Sequence, residues 1–161
     1  MSFFFCTFAA FFILSKIKVM KKSLLALLML VSLGASAQVE NILGEWKTID
    51  DKTGERRSIV AIYQGTDGLY YGKIAKMLVG EPGLKCEACK DEDHNAPLEG
   101  LVIIRGMKYD QKANALSGGK VLDPESGKFY YGKIYPKDGK LVLRGSLDKA
   151  GLLGRNQTWE K

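Results

Sequence analysis

The sequence predicts an all-β fold, a small antiparallel up-and-down barrel of about eight strands. Three observations point there. Short runs rich in β-branched and aromatic residues recur at regular spacing, turn-forming residues separate them, and no stretch carries a capped helical period.

The runs begin at Glu45 to Asp50, alternating around Trp46 and Thr48, with a turn at Asp51-Lys52-Thr53-Gly54. Arg57 to Gln64 is the second strand, Gly65-Thr66-Asp67-Gly68 the next turn, and Leu69 to Val79 the third strand. Leu101 to Met107 is the fourth, and Asp110 to Asn114 turns into Ala115 to Leu122, the fifth. Asp123-Pro124-Glu125-Ser126-Gly127 is a strong turn signal before Lys128 to Tyr135. Lys137-Asp138-Gly139-Lys140 centres a hairpin on Asp-Gly. Leu141 to Leu147 and Asn156 to Glu160 complete the set. Tyr70-Tyr71-Gly72-Lys73-Ile74 recurs as Tyr130-Tyr131-Gly132-Lys133-Ile134. The repeat predicts two equivalent strands whose tyrosines pack and whose lysines reach water; a duplicated binding ridge is the alternative.

Ahead of the barrel lies a leader. Met20-Lys21-Lys22 is a basic opening, Leu24 to Leu33 a short apolar run, and Ala35-x-Ala37 a cleavage site. That run is about half of the roughly 20 residues a membrane-spanning helix needs. Residues 20–37 therefore read as a signal peptide and residues 38–161 as a single barrel domain. Residues 1–19, crowded with phenylalanine, read as an over-called start or an extended leader. The expected location is outside the cytoplasm, periplasmic or secreted, with no stable membrane insertion after cleavage.

Losing the leader removes most of the charge. The chain has 24 basic and 18 acidic side chains, but four lysines (16, 18, 21, 22) lie in the leader, which leaves +2. The hint of a nucleic-acid partner goes with them. The sequence assigns no protein partner.

The longest irregular stretch, residues 80–97, holds Cys86-Glu87-Ala88-Cys89, an acidic run and the lone histidine, His94. A structural disulfide between Cys86 and Cys89 is the leading reading for an exported pair. A redox pair lacks the strand-to-helix setting that lowers a thiol pKa. A zinc site would need Asp91 or Asp93 as a fourth ligand.

Gly44-x-Trp46, Thr48, Asp50-Asp51 and Thr53-Gly54 open a pattern that continues through Cys86-x-x-Cys89 and Pro97-Leu98-x-Gly100-Leu101. It ends with Gly118-Gly119, Asp123-Pro124, Arg144-Gly145 and Gly154-Arg155-x-x-Thr158-Trp159. This ordered set resembles the exported bacterial family called domain of unknown function 2147. The resemblance brings no catalytic residue with it. Gly44-x-Trp46 with a late arginine also resembles lipocalin-like (calycin) barrels. It implies that Trp46 closes one barrel end with Arg155 across its ring, a guanidinium stacked on an indole.

There is no nucleophile elbow and no phosphate-binding glycine loop. Asp50-Asp51 could serve acid–base or Ca²⁺ chemistry, but a hairpin end explains the pair better. Arg144 alternates with inward leucines and should face outward. Arg105 shares parity with Leu101 and Ile103, which places it at a barrel mouth as the candidate for an anionic head group, with the 80–97 loop as lid. The sequence thus predicts a non-enzymatic barrel without cofactor or metal that binds a small amphipathic or anionic molecule. The alternatives are an envelope interaction module with a filled interior and a carboxylate- or metal-dependent enzyme. The ligand reading requires an interior cavity above about 300 Å³.

Overall fold

The computed structural model describes residues 36–161. The segments read as leader, 1–19 and 20–37, lie outside the described residues except for Ser36 and Ala37. A single helical turn, Ser36–Val39 (α1), leads into eight strands. They are Gly44–Ile49 (β1), Arg56–Gln64 (β2), Tyr70–Met77 (β3), Val102–Asp110 (β4), Ala115–Asp123 (β5), Lys128–Lys137 (β6), Lys140–Ser146 (β7) and Gly154–Glu160 (β8). Each pairs antiparallel with its neighbour in sequence, and Thr48 of β1 pairs with Trp159 of β8 to close the barrel. The up-and-down order follows from the short turns, because tight connections leave consecutive strands no choice but to pair.

The barrel is unevenly filled. One end is packed solid by Ile42, Val60, Ile104, Met107, Leu116 and Ile134, all fully buried. The packing rests on two glycines. Gly119 and Gly132 face each other across β5 and β6, and Met107 of β4 lies over them. A Cβ on Gly119 would stand 2.6 Å from Met107 Cγ, and one on Gly132 would overlap Met107 Cε.

Gly132 is the centre of the repeated Tyr-Tyr-Gly-Lys-Ile. In the other copy, Gly72 lies under Ile104, again from β4. Ile74 and Ile134 are buried and Lys73 and Lys133 are exposed. The repeat therefore marks two equivalent strands that flank β4 and β5 and make room for β4 side chains.

Cys86 and Cys89 form a disulfide. Both are buried, and Cys86 N–H donates to the Ala96 carbonyl while Asn95 N–H donates to that of Cys86. Gly127 of the β5–β6 turn lies so close to the Ala88 carbonyl that no side chain fits there. The 80–97 stretch is thus packed on the barrel rather than hung over its opening; Leu98, just beyond it, is what reaches the mouth. Replacing both cysteines by alanine should leave the barrel folded, because closing so short a loop contributes only about 2 kcal/mol. Faster amide exchange confined to residues 84–98, with the strand amides still protected, is the expected outcome.

Candidate functional site

The other half of the barrel holds a cavity of about 860 Å³. Its rim is made by the β1–β2, β5–β6 and β7–β8 connections, through Asp51, Glu125, Leu147 and Leu153, together with Leu98. All of these connections lie at the end away from Trp46. The cavity is above the lower limit for a small-molecule site and within the common range.

Its walls differ. Ile74, Met77, Ile103, Val121 and Leu143 form an apolar wall. Round the same cavity, β8 contributes Arg155, Gln157 and Trp159, with Gln157 beside Leu143, and Thr48 and Ser58 follow on β1 and β2, with Ser58 beside Met77. The strand period of two explains why these three β8 residues share a face. Thr48 Oγ1 and Ser58 Oγ are 2.8 Å apart and share a hydrogen bond. Trp159 is 1% exposed, and its Nε1 has no hydrogen-bond partner among the described residues. An unpaired buried N–H costs about 1–3 kcal/mol.

At the mouth, Arg57 binds Asp50 at 3.1 Å and also Glu125. Arg155 takes part in no salt bridge among the described residues, so it is a cation at the opening with no carboxylate claim on it.

Two carboxylates shape this rim. Asp50 accepts from Lys52 N–H at 2.8 Å and Thr53 N–H at 3.0 Å, and these donors with Arg57 lower its pKa to about 2. Asp50-Asp51 is therefore a hairpin end, as its Thr-Gly setting suggested. Asp148 accepts from Leu152 N–H and Leu153 N–H at 2.9 and 2.6 Å, which lowers its pKa as well. Arg144 Nε donates to the Gly151 carbonyl at 2.8 Å and holds the same loop from the outside.

A carboxyl whose folded pKa lies below its unfolded value adds stability above the unfolded pKa and loses it as pH falls through the folded one. Both rim loops should therefore keep their order at pH 4–7. The β1–β2 turn should loosen only as pH approaches the Asp50 value of about 2. Amide shifts of Lys52, Thr53, Leu152 and Leu153 followed against pH check this. Movement already complete by pH 5 would contradict it.

Two residues sit elsewhere than expected. Trp46 is 2% exposed, and its Nε1 donates to the Ile42 carbonyl at 2.9 Å. Its cationic partner, however, is Lys161, with Nζ 4.9 Å from the ring centroid. Arg155 pairs with Gly145 at the cavity end. The register explains the exchange. Trp159 lies beside Thr48, so Lys161 reaches the level of Trp46, and Arg155, six residues back along β8, stands about 20 Å away along the strand.

Arg105 is the second correction. It binds Asp93 through Nη2 at 2.7 and 2.8 Å, donates from Nε to the Val102 carbonyl, and lies over Phe129. It lines no part of the main cavity. The cause is a bulge in β4: Gly72 pairs with Ile104 while Lys73 pairs with Val102, which leaves Ile103 unpaired. Ile103 enters the cavity wall and parity reverses beyond it, so Arg105 pairs with Lys120 on the other face. Arg105 fastens the 80–97 loop to the barrel. The zinc alternative loses its donors to these bonds, with Cys86 joined to Cys89 and Asp93 held by Arg105.

Sequence reasoning missed Trp159 as a site residue. Its signal was available, because Arg155, Gln157 and Trp159 alternate against Asn156, Thr158 and Glu160.

Comparison with known proteins agrees with this architecture. Residues 44–161 match the family described as uncharacterized protein conserved in bacteria, DUF2147. A solved structure, described as protein HP1028 from the human pathogen Helicobacter pylori and as belonging to the lipocalin family, superimposes with a TM-score of 0.64. The two chains are 22% identical, over 74% of this chain and 81% of that one, which establishes a shared fold. No curated protein matches the sequence.

Proposed function

For this chain, which belongs to the bacterial family DUF2147, we propose an exported barrel that binds one small amphipathic ligand. The apolar body of the ligand lies in the half-empty barrel and its anionic head meets Arg155 at the mouth. The observation that carries the reading is the 860 Å³ cavity with an apolar wall and an unpaired cation at its opening. The disulfide and the Ala35-x-Ala37 leader support export. A lipocalin-like fold supports a small ligand. Leu147 and Leu153 are more than two-thirds exposed at the rim, and an apolar collar of this kind suits the entry of an apolar chain.

Titration of the protein with dodecanoate, followed by displacement of a fluorescent apolar probe, tests the reading. Saturable one-to-one binding is expected. Arg155→Glu should weaken it several-fold at low salt, and less at high salt, because a rim charge is screened. Dodecanoate that fails to displace the probe, or an Arg155→Glu protein that binds it unchanged, would count against the reading.

A further inference from the structure

Charge is sorted over the outside of the barrel. Strands β3 to β7 carry ten lysines and arginines and only two aspartates. The rest of residues 38–161 carries ten basic and sixteen acidic side chains, so +8 on these strands stands against −6 elsewhere. Alternation turns the cations outward. Lys73, Lys108, Lys120 and Lys133 are exposed, while Ile74, Met107, Val121 and Ile134 beside them are buried. The two aspartates, Asp110 and Asp123, end their strands and accept hydrogen bonds from their own turns. Of the ten cations, only Arg105 and Lys140 meet a carboxylate among the described residues. The wall centres on β5. Lys108 and Lys133 flank Ser117 from the two neighbouring strands, about 10 Å apart. Gly118 is the extra residue of a bulge at φ 78°, and nothing lies within 4 Å of where its Cβ would stand. The floor between the lysines is therefore bare backbone and one hydroxyl, open to a bulky anionic group.

From this segregation we infer that the outer wall of β3 to β7 is a docking surface for a linear acidic polysaccharide. Like charges gathered on one face repel one another, and a polyanion relieves that repulsion while the acidic remainder of the barrel steers it to this side. The shape of the wall selects the partner. Five of the eight strands of a closed barrel wrap more than half its circumference. A flat membrane or a rigid protein face meets so convex a wall along a narrow strip, whereas a flexible chain bends around it. Nucleic acid fits less well, because it stacks its bases on open aromatic faces. Here Lys120 Nζ covers the Tyr131 ring, 3.5 Å from its centroid. The inference is independent of the ligand-binding reading, since none of the four lysines lines the cavity.

Binding of the protein to immobilised polygalacturonate, a linear polymer of uronate sugars, tests this, with neutral dextran as the blank. Binding to polygalacturonate alone is expected, weakening steeply as salt rises from about 20 to about 200 mM. The combined change Lys108→Glu, Lys120→Glu and Lys133→Glu should weaken it about tenfold at low salt, the loss expected of three exposed ion pairs. The same protein should keep its circular dichroism and its affinity for dodecanoate, because these side chains stand outside the barrel. Lys85→Glu, Lys90→Glu and Lys149→Glu together change the net charge equally but lie off the wall, and should cost less than about twofold. Equal losses in the two triple variants would show an effect of net charge alone and overturn the inference, as would failure to bind polygalacturonate. Tighter binding to phosphatidylglycerol vesicles or to single-stranded DNA than to polygalacturonate would overturn the choice of partner.

Discussion

Trp46→Ala should lower the free energy of unfolding by about 3–5 kcal/mol, the usual range for removing a buried aromatic side chain. Trp46 is 2% exposed in the packed end of the barrel and packs in one core with Ile42 and Val60. Its indole N–H also fixes the chain at the Ile42 carbonyl, which ties the segment before β1 to the barrel. Deleting the ring removes the plug and the tie together. Urea unfolding followed by circular dichroism measures the loss. A change below about 1 kcal/mol, the level of an unremarkable substitution, would show that this end is not held by Trp46.

Met107→Ala should cost about 2–5 kcal/mol, toward the upper part of that range. The cost of a cavity depends on how far its surroundings can collapse. Met107 is fully buried over Gly119 and Gly132, and neither glycine has a side chain that could move into the space. The reverse change is costly too. A side chain at Gly119 would meet the Arg105 carbonyl as well as Met107, so Gly119→Ala must push β4 and β5 apart. The two variants should fail for opposite reasons. Met107→Ala should retain native strand pairing at lower stability, whereas Gly119→Ala should expose β4 and β5 amides to exchange.

The strands were legible because they obey local rules. Asp-Gly and Asp-Pro-Glu-Ser-Gly turns set the hairpins, and the observed boundaries differ from those read along the chain by a residue or two at most ends. β4 differs more, running on to Asp110 instead of ending at Met107. The same strand hid the role of Arg105. Alternation counted from Leu101 assumes an unbroken pleat, and the bulge at Ile103 arises from how β3 and β4 pair, which no local run of residues encodes.

The exchange of Arg155 for Lys161 has a similar origin. Which residue of β8 lies level with Trp46 depends on the stagger at which β1 and β8 close the barrel. Trp159 could have been placed by alternation alone. What could not be read in advance is that its Nε1 finds no partner among the described residues, since that depends on every neighbour around it.

Native mass spectrometry of protein purified from the bacterium that makes it tests most directly whether the half-empty barrel is a ligand site. A one-to-one complex with a small amphiphile is expected, released on unfolding and lost in Leu143→Trp, whose larger side chain enters the cavity. Protein that carries nothing, and that also fails to take up dodecanoate, would contradict this.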